Sequence, residues 1–367
     1  MRVALIHYWL VNDRGGEKVL KAIHELYPDA TIFTHVLDRR KVPAFADAEI
    51  ETTAIQKLPF ARSWYQAYLP FMPTALEAID LSGYDLVISS EAGPAKGVLP
   101  HPGALHVSYV HSPMRYIWNM YAAHMRGANP AIRALFPFIS NYLRMWDVTT
   151  AARVDHFVAN SHNVAGRIRR YYRRDAAVVH PPVDVDAFPV STRSEDYYLA
   201  VGELVDYKRT DILVEAFARM KKHLVVIGGG KALSSLRARG GAHVHFLGRA
   251  DFATLKQHYA DCRALVFAPE EDFGIVPLEA MASGKPVIAY GRGGALETIV
   301  PGQTGLFFNA QTPEAVIAAI EAFEAQRNRF DPHAIRAHAE GFATPVFKSR
   351  FKAQVEQALE RHRDARA

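Results

Sequence analysis

The chain has 367 residues, 49% of them hydrophobic and 22% charged, with a formal net charge of +5 and one cysteine, Cys262. This is ordinary globular composition, and at roughly 150 residues per domain it predicts two domains with sizeable cores. A single cysteine excludes an internal disulfide and any multi-cysteine metal site, and no run approaches the ~18 apolar residues of a membrane span.

Residues 3–6 form an apolar run of strand length, too short for a signal-peptide core, so the expectation is a cytoplasmic protein. Gly15-Gly16-Glu17-Lys18 then opens a helical pattern reaching Tyr27. This strand-to-helix turn either lets the backbone approach a phosphate or acceptor closely, or is simply a tight turn. It lacks G-x-G-x-x-G spacing. Residues 31–36, 85–89 and 105–110 read as further strands. The last ends at His111, at the carboxyl end of a parallel strand, where open α/β sheets keep their ligands and where a structural histidine is also common.

Residues 57–73, with Trp64, Tyr65, Tyr68 and Phe71, and residues 114–146 are rich in aromatics and proline. They are either helices packing aromatics into a core or an amphipathic surface for a bilayer or lipid-linked substrate. Residues 164–174 carry Arg167, Arg169, Arg170, Arg173 and Arg174, which on a helix surround most of its circumference and suit solvation, anionic head groups or a pyrophosphate. No nucleic-acid reading motif accompanies them. Pro181-Pro182 mark an extended crossing between domains, and Asp184-Val185-Asp186 beyond it is turn chemistry, so no metal is expected.

From Tyr197 the alternation restarts, with strands at 198–201, 224–227, 243–247, 265–268 and 287–290 and a helix at 210–220. Two successive stacks predict an α/β fold of two Rossmann-like, doubly wound domains facing a central cleft. The first spans 1–180 and the second 181–345. A final helix at 346–367, with Phe347, Phe351, Val355 and Leu359 every fourth residue, is expected to cross back onto the first.

Chemistry concentrates between residues 265 and 290, where strand, polar turn, helix and strand follow one another. Glu271 stands in the loop and Glu279 about one turn inside the helix. Gly274 lets the backbone approach a ligand, and the N–H groups of Phe273, Gly274, Ile275 and Val276 lie at the positive helix end, where phosphate is favoured. Carboxylates beside a phosphate repel it unless something lies between. Sugar hydroxyls fill that gap, since a carboxylate accepts two hydrogen bonds from a diol. A nucleotide-sugar fits that description; two solvated surface acids are the other reading. Lys208-Arg209, after the first strand of the second domain, can cradle a diphosphate at the same sheet edge. A second glycine turn at 291–294, with Thr304-Gly305 later, either approaches the sugar or reverses the chain.

Together, Glu271 and Glu279 with seven residues between them, Phe273-Gly274-Ile275, Lys208-Arg209, Gly15-Gly16 and His111 resemble the retaining GT-B glycosyltransferases of family four. The resemblance covers nearly the whole chain, and residues 109–116, 180–184, 207–209 and 290–297 are similar to bacterial mannosyl- and related transferases of exopolysaccharide and O-antigen assembly. It implies a metal-independent hexosyltransferase without cofactor, whose catalytic residues are His111, Lys208 and Glu271. Glu279 would hold the donor ribose and Glu271 the sugar hydroxyls, with the amides of Phe273, Gly274, Ile275 and Val276 near sugar and phosphate. Lys208 and Arg209 would neutralise the diphosphate. His111 would stand beside the sugar, and Gly15 and Gly16 near the phosphate or acceptor. The implied donor is GDP-mannose or a UDP-sugar, and the implied acceptor a polyprenyl-diphosphate-linked oligosaccharide. The implied location is the cytoplasm or, peripherally, the inner face of the plasma membrane.

One departure stands out. Where this family commonly has an arginine after the strand glycine, this chain has Glu203, which leaves phosphate stabilisation to Lys208 and Arg209. Among rival readings, an NAD-dependent dehydrogenase calls for a dinucleotide fingerprint that neither glycine turn supplies. A non-catalytic sugar-nucleotide-binding protein has no need of an intact Lys208, Glu271 and Glu279 together.

Overall fold

The structure is a computed structural model that describes residues 1–366. Its internal contacts divide it into two compact units, Met1–Pro182 with the residues from Phe347 on, and Val183–Val346. Both are α/β units built on parallel sheets.

The first unit carries β1 (Val3–His7), β2 (Thr31–Thr34), β3 (Ile50–Thr52), β4 (Leu86–Glu91), β5 (Leu105–Val110), β6 (His156–Ala159) and β7 (Ala177–Val178), in the order β3-β2-β1-β4-β5-β6-β7. Side chains alternate across the sheet, so Val3 and Leu5 of β1 enter one core while Ala4 and Ile6 enter the other. Strand order reverses direction between β1 and β4, the switch point at which loops diverge and leave room for a ligand.

The second unit repeats the plan with β8 (Tyr198–Val201), β9 (Leu224–Ile227), β10 (Val244–Gly248), β11 (Leu265–Phe267), β12 (Val287–Tyr290) and β13 (Gly305–Phe308), ordered β10-β9-β8-β11-β12-β13. Its switch point falls between β8 and β11.

The helix Thr344–Asp364 buries Phe347, Phe351, Val355 and Ala358 in the first unit's core, with the rings of Phe347 and Phe351 set edge-on to Tyr109 at 5.7 and 5.9 Å. An ion pair between Lys348 and Glu25 secures its outer side.

Several sequence expectations need correction. Residues 304–305 are not a loop: Gly305 starts β13, where a Cβ would come within 1.9 Å of the Val287 carbonyl oxygen, so the glycine serves a close strand approach. Residues 57–73 are short 3₁₀ and α turns, with Pro70 inside one and Pro73 in the first turn of the next, and Phe60, Trp64 and Phe71 are exposed while Tyr65 and Tyr68 pack on the core. The arginine-rich helix is His162–Tyr172, ending at Arg173 in the left-handed region with φ 55°. Arg174 lies beyond it and donates to the carbonyls of Ala151 and Val154 at 3.0 and 2.8 Å, a structural post rather than an anion ligand. The reading of residues 184–186 as turn chemistry needs no correction: Asp186 sits on a 3₁₀ turn and pairs with Arg336 at 3.2 Å. Among the described residues no helix is long and apolar enough to cross a membrane.

Candidate functional site

In the second unit, β8 runs into Gly202 and a loop whose last turn, Asp206–Lys208, leads through Arg209 into the helix Thr210–Met220. Across the switch point, β11 leads through residues 268–274 into the helix Ile275–Ala282. The two loops meet. Lys208 Nζ lies 3.2 Å from Glu271 Oε1, each side chain about one-fifth exposed. Lys208 also passes over Gly202, where a Cβ would stand 3.7 Å from its amine.

Two glycine turns hold these loops from behind. A Cβ at Gly228 would meet the Gly202 carbonyl oxygen at 1.8 Å, and one at Gly230 the Leu204 carbonyl oxygen at 2.2 Å. Likewise a Cβ at Gly293 would come within 2.4 Å of the Glu271 carbonyl oxygen, and the Gly294 N–H donates to that same oxygen at 2.9 Å. Both turns therefore brace the Lys208 and Glu271 loops by backbone contact.

Gly274 caps the helix at φ 92°, a left-handed conformation that suits glycine. Pro277 has no N–H, which leaves Ile275 and Val276 as the amides of the first turn that can face an anion. The Phe273 side chain is buried against Phe342, ring centroids 5.9 Å apart, so only its backbone can serve a ligand. Glu279 is nearly buried, and its Oε2 accepts a hydrogen bond from the Tyr259 hydroxyl at 3.0 Å. Burial, reinforced by the Glu279 charge, pushes the Tyr259 phenol well above its ordinary range, so it remains a donor. Tyr259 carries no motif; it is an aromatic in a helical pattern, and sequence reading passed over it.

Arg209 faces elsewhere. Its guanidinium donates to both carboxylate oxygens of Asp211, at 3.2 and 3.4 Å, and to the Gln311 carbonyl oxygen at 3.3 Å. Gln311 in turn donates to the Ala268 carbonyl at 2.9 Å, so Arg209 fastens the base of the Glu271 loop. Glu203 is exposed beside this edge.

The remaining predicted residues gather at the switch point of the first sheet. Gly15 and Gly16 open the helix Gly15–His24, and a Cβ at Gly16 would lie 2.4 Å from the Tyr8 hydroxyl oxygen. His111 follows β5, with Nε2 2.9 Å from Ser90 Oγ and its ring edge-on to Tyr109 at 5.2 Å. Burial, with His7 nearby as the lesser cause, lowers the His111 imidazole to about 3, so it is neutral at neutral pH. Beneath lies a buried ionic centre that no motif announced: Lys96 Nζ stands 3.2 Å from Glu91 Oε1 and also pairs with Asp147, which accepts from Trp118 Nε1 at 2.7 Å and from the Tyr172 hydroxyl. It ties β4 to the helix Pro130–Thr150.

Two family models match the chain. One, described as Glycosyl transferases group 1, covers residues 183–340, and the other, Glycosyltransferase Family 4, covers residues 14–187. A D-inositol 3-phosphate glycosyltransferase of Geodermatophilus obscurus is 32% identical over 227 residues, 52% of this chain and 50% of that protein. A GDP-mannose-dependent alpha-(1-6)-phosphatidylinositol monomannoside mannosyltransferase of Mycobacterium tuberculosis is 33% identical over 149 residues, 36% of this chain and 39% of that protein. The chain spans about half the length of the curated relatives it matches. Among solved structures, Alr3699/HepE of Anabaena in complex with UDP is similar at a TM-score of 0.71 and 17% identity, covering 97% of this chain and 100% of that one. The likeness shows a GT-B α/β fold.

Proposed function

We propose, from the glycosyltransferase models that match residues 14–187 and 183–340, that the chain moves a hexose from a nucleotide-sugar to a saccharide acceptor. The observation that carries this reading is the Lys208–Glu271 pair at the β8/β11 switch point, one loop away from the Gly274 helix start and the Glu279 carboxylate. A diphosphate takes the lysine and the helix amides, and sugar and ribose hydroxyls take the two acids. Separating the pair by binding turns each member toward the ligand.

The chemistry follows from charge. As the bond between sugar and phosphate breaks, the sugar becomes oxocarbenium-like and the leaving diphosphate gains negative charge, which Lys208 and the Ile275 and Val276 amides stabilise without a metal. The donor phosphate takes the acceptor proton on the face it leaves from, giving retention of configuration. Arg209 supports the Glu271 loop through Asp211 and Gln311, and stabilises phosphate only by leaving them.

GDP-mannose is the donor this reading favours, supported by the mycobacterial relative whose name states that dependence. The acceptor is a polyprenyl-diphosphate-linked oligosaccharide, reached at the inner face of the plasma membrane through peripheral contact with anionic lipid. What supports the membrane contact is the row of exposed apolar side chains on the helix Pro130–Thr150. Incubating the purified protein with a panel of nucleotide-sugars and measuring released nucleotide tests the whole reading. Release from GDP-mannose with a lipid-linked acceptor is expected. Tight nucleotide binding without release from any donor would instead mark a non-catalytic binding protein.

A further inference from the structure

Lys208 and Glu271 stand at the carboxyl ends of the second sheet's strands, and at the amino ends of the same strands the second unit holds a cavity of about 430 Å³. Arg263 lies two residues before β11, and Lys285-Pro286 lead directly into β12. Because β8, β11 and β12 run parallel, these residues sit a strand's length away from the Lys208–Glu271 pair. The cavity wall carries three cations, Lys285, Arg263 and Arg327, together with Thr192 and Ser194, and no acid. A concave wall of one charge sign gathers ligands of the other.

Lys285 is the sharpest of the three observations. It is 4% exposed, its ammonium donates to the Arg193 carbonyl oxygen, and it forms no ion pair among the described residues. One carbonyl answers one of three ammonium donors. Asp261, which acts on it from farther off, is engaged by Gln257. Burial accordingly holds the Lys285 ammonium below the ordinary lysine range, as expected of a cation without an acid beside it. Arg263 shows a similar shortage: its terminal nitrogens meet Asp196 and Glu324, each at 2.8 Å, while its Nε is buried with no hydrogen-bond partner among the described residues. Arg327 is 53% exposed, with Glu324 only at 3.9 Å. Glu324 is already shared with the Tyr198 hydroxyl and Lys222, so it cannot neutralise both arginines.

We propose that this cavity binds a small phosphate monoester, with the phosphate on Lys285, Arg263 and Arg327 and the organic part against Phe330 and Pro332, which give the wall its apolar side. A phosphate supplies the acceptors and the negative charge that these cations lack, and the volume leaves room beyond a bare ion. The assignment does not depend on the transferase reading. A ligand held at this end of the strands does not compete with a nucleotide-sugar at the other.

Calorimetric titration at constant ionic strength tests the site, with phenyl phosphate and inorganic phosphate as probes. Phenyl phosphate has no hydroxyls to imitate a donor sugar, and it should bind more tightly than inorganic phosphate. Arg327→Gln should weaken phenyl phosphate binding about tenfold, and Arg327→Lys, which keeps the charge, should recover most of it. Lys285→Gln should abolish binding; should that variant fail to fold, exposed Arg327 still carries the test. Lys208→Ala, at the opposite ends of the strands, should bind phenyl phosphate as the wild type does. No binding to the wild type, wild-type affinity in Arg327→Gln, or loss confined to Lys208→Ala overturns the proposal, the last by placing the phosphate in the donor site. Inorganic phosphate binding as tightly as phenyl phosphate overturns the monoester.

Discussion

Lys208 and Glu271 face each other at 3.2 Å where the loops after β8 and β11 diverge. Ion pairs that keep some exposure, each side chain here about one-fifth exposed, add little to folding, about 1 kcal/mol at most. Their value lies in holding a cation and an acid ready for a ligand that carries both phosphate and hydroxyls. Lys208→Ala should therefore leave the melting temperature almost unchanged and cut turnover by about a hundredfold, because stabilisation of the departing phosphate is lost. Steady-state rates beside thermal melts check this, and wild-type turnover in the variant would remove Lys208 from the mechanism.

Glu279 gives a different signature. It is nearly buried and accepts from Tyr259, so Glu279→Ala removes a partner from a buried hydroxyl and should cost ~1–3 kcal/mol of stability by itself. A nucleotide at 100 times its dissociation constant stabilises the wild type by about 2.7 kcal/mol, and the variant should lose that protection. Thermal-shift measurements with GDP, UDP, ADP and NAD separate the two effects. Tyr259→Phe should weaken protection less than Glu279→Ala, since the carboxylate remains while its orientation loosens. Full nucleotide protection of Glu279→Ala would take the residue out of the donor site.

Much of this site was legible in sequence because its parts sit at fixed spacing along single elements. Glu271, Gly274 and Glu279 share one loop and helix, and the strand runs around them end within one residue of where periodicity placed them. What escaped is what depends on pairing between distant segments. β3 and β7 are edge strands of three and two residues with no buried side chain, and β13 opens on a glycine that reads as a turn. Tyr259 reaches Glu279 across two elements, and Lys96 meets Asp147 across 51 residues. Arg209 was assigned by adjacency to Lys208, yet neighbouring residues point apart once φ turns positive, and its fork meets Asp211 and Gln311.

The helix Pro130–Thr150 leaves Leu135, Phe138 and Met145 exposed at 60%, 75% and 57%, with Ile132, Tyr142 and Val148 partly exposed along the same face. Spacings of three and four residues make this a continuous apolar ridge. If it seats on lipid, Phe138→Asp should weaken binding to vesicles containing anionic lipid more than tenfold, given ~1.5–3 kcal/mol for burying one large apolar side chain. Turnover of a short water-soluble acceptor should stay unchanged. Co-sedimentation with vesicles tests this, and wild-type protein that stays in the supernatant rejects the membrane role.

Acid should unfold the first unit. His35, His106 and His111 are held by burial at about 4, about 4 and about 3, against ordinary values near 6.5. In the unfolded chain each takes up a proton near pH 6.5, whereas in the folded unit each stays neutral until about pH 4 or lower. Between those limits the unfolded state binds more protons, so stability is full above about pH 6.5 and falls as pH drops through the window. At about 1.4 kcal/mol per pH unit, lowering the pH from 6.5 to 5 costs about 2 kcal/mol for each histidine, a sum comparable with the whole stability of a domain. The four tryptophans, Trp9, Trp64, Trp118 and Trp146, all lie in this unit, so their fluorescence follows its unfolding alone. The fluorescence melting temperature should be level between about pH 7 and 8 and drop steeply below about pH 6; a level curve down to about pH 5 would mean that these imidazoles are protonated in the folded protein.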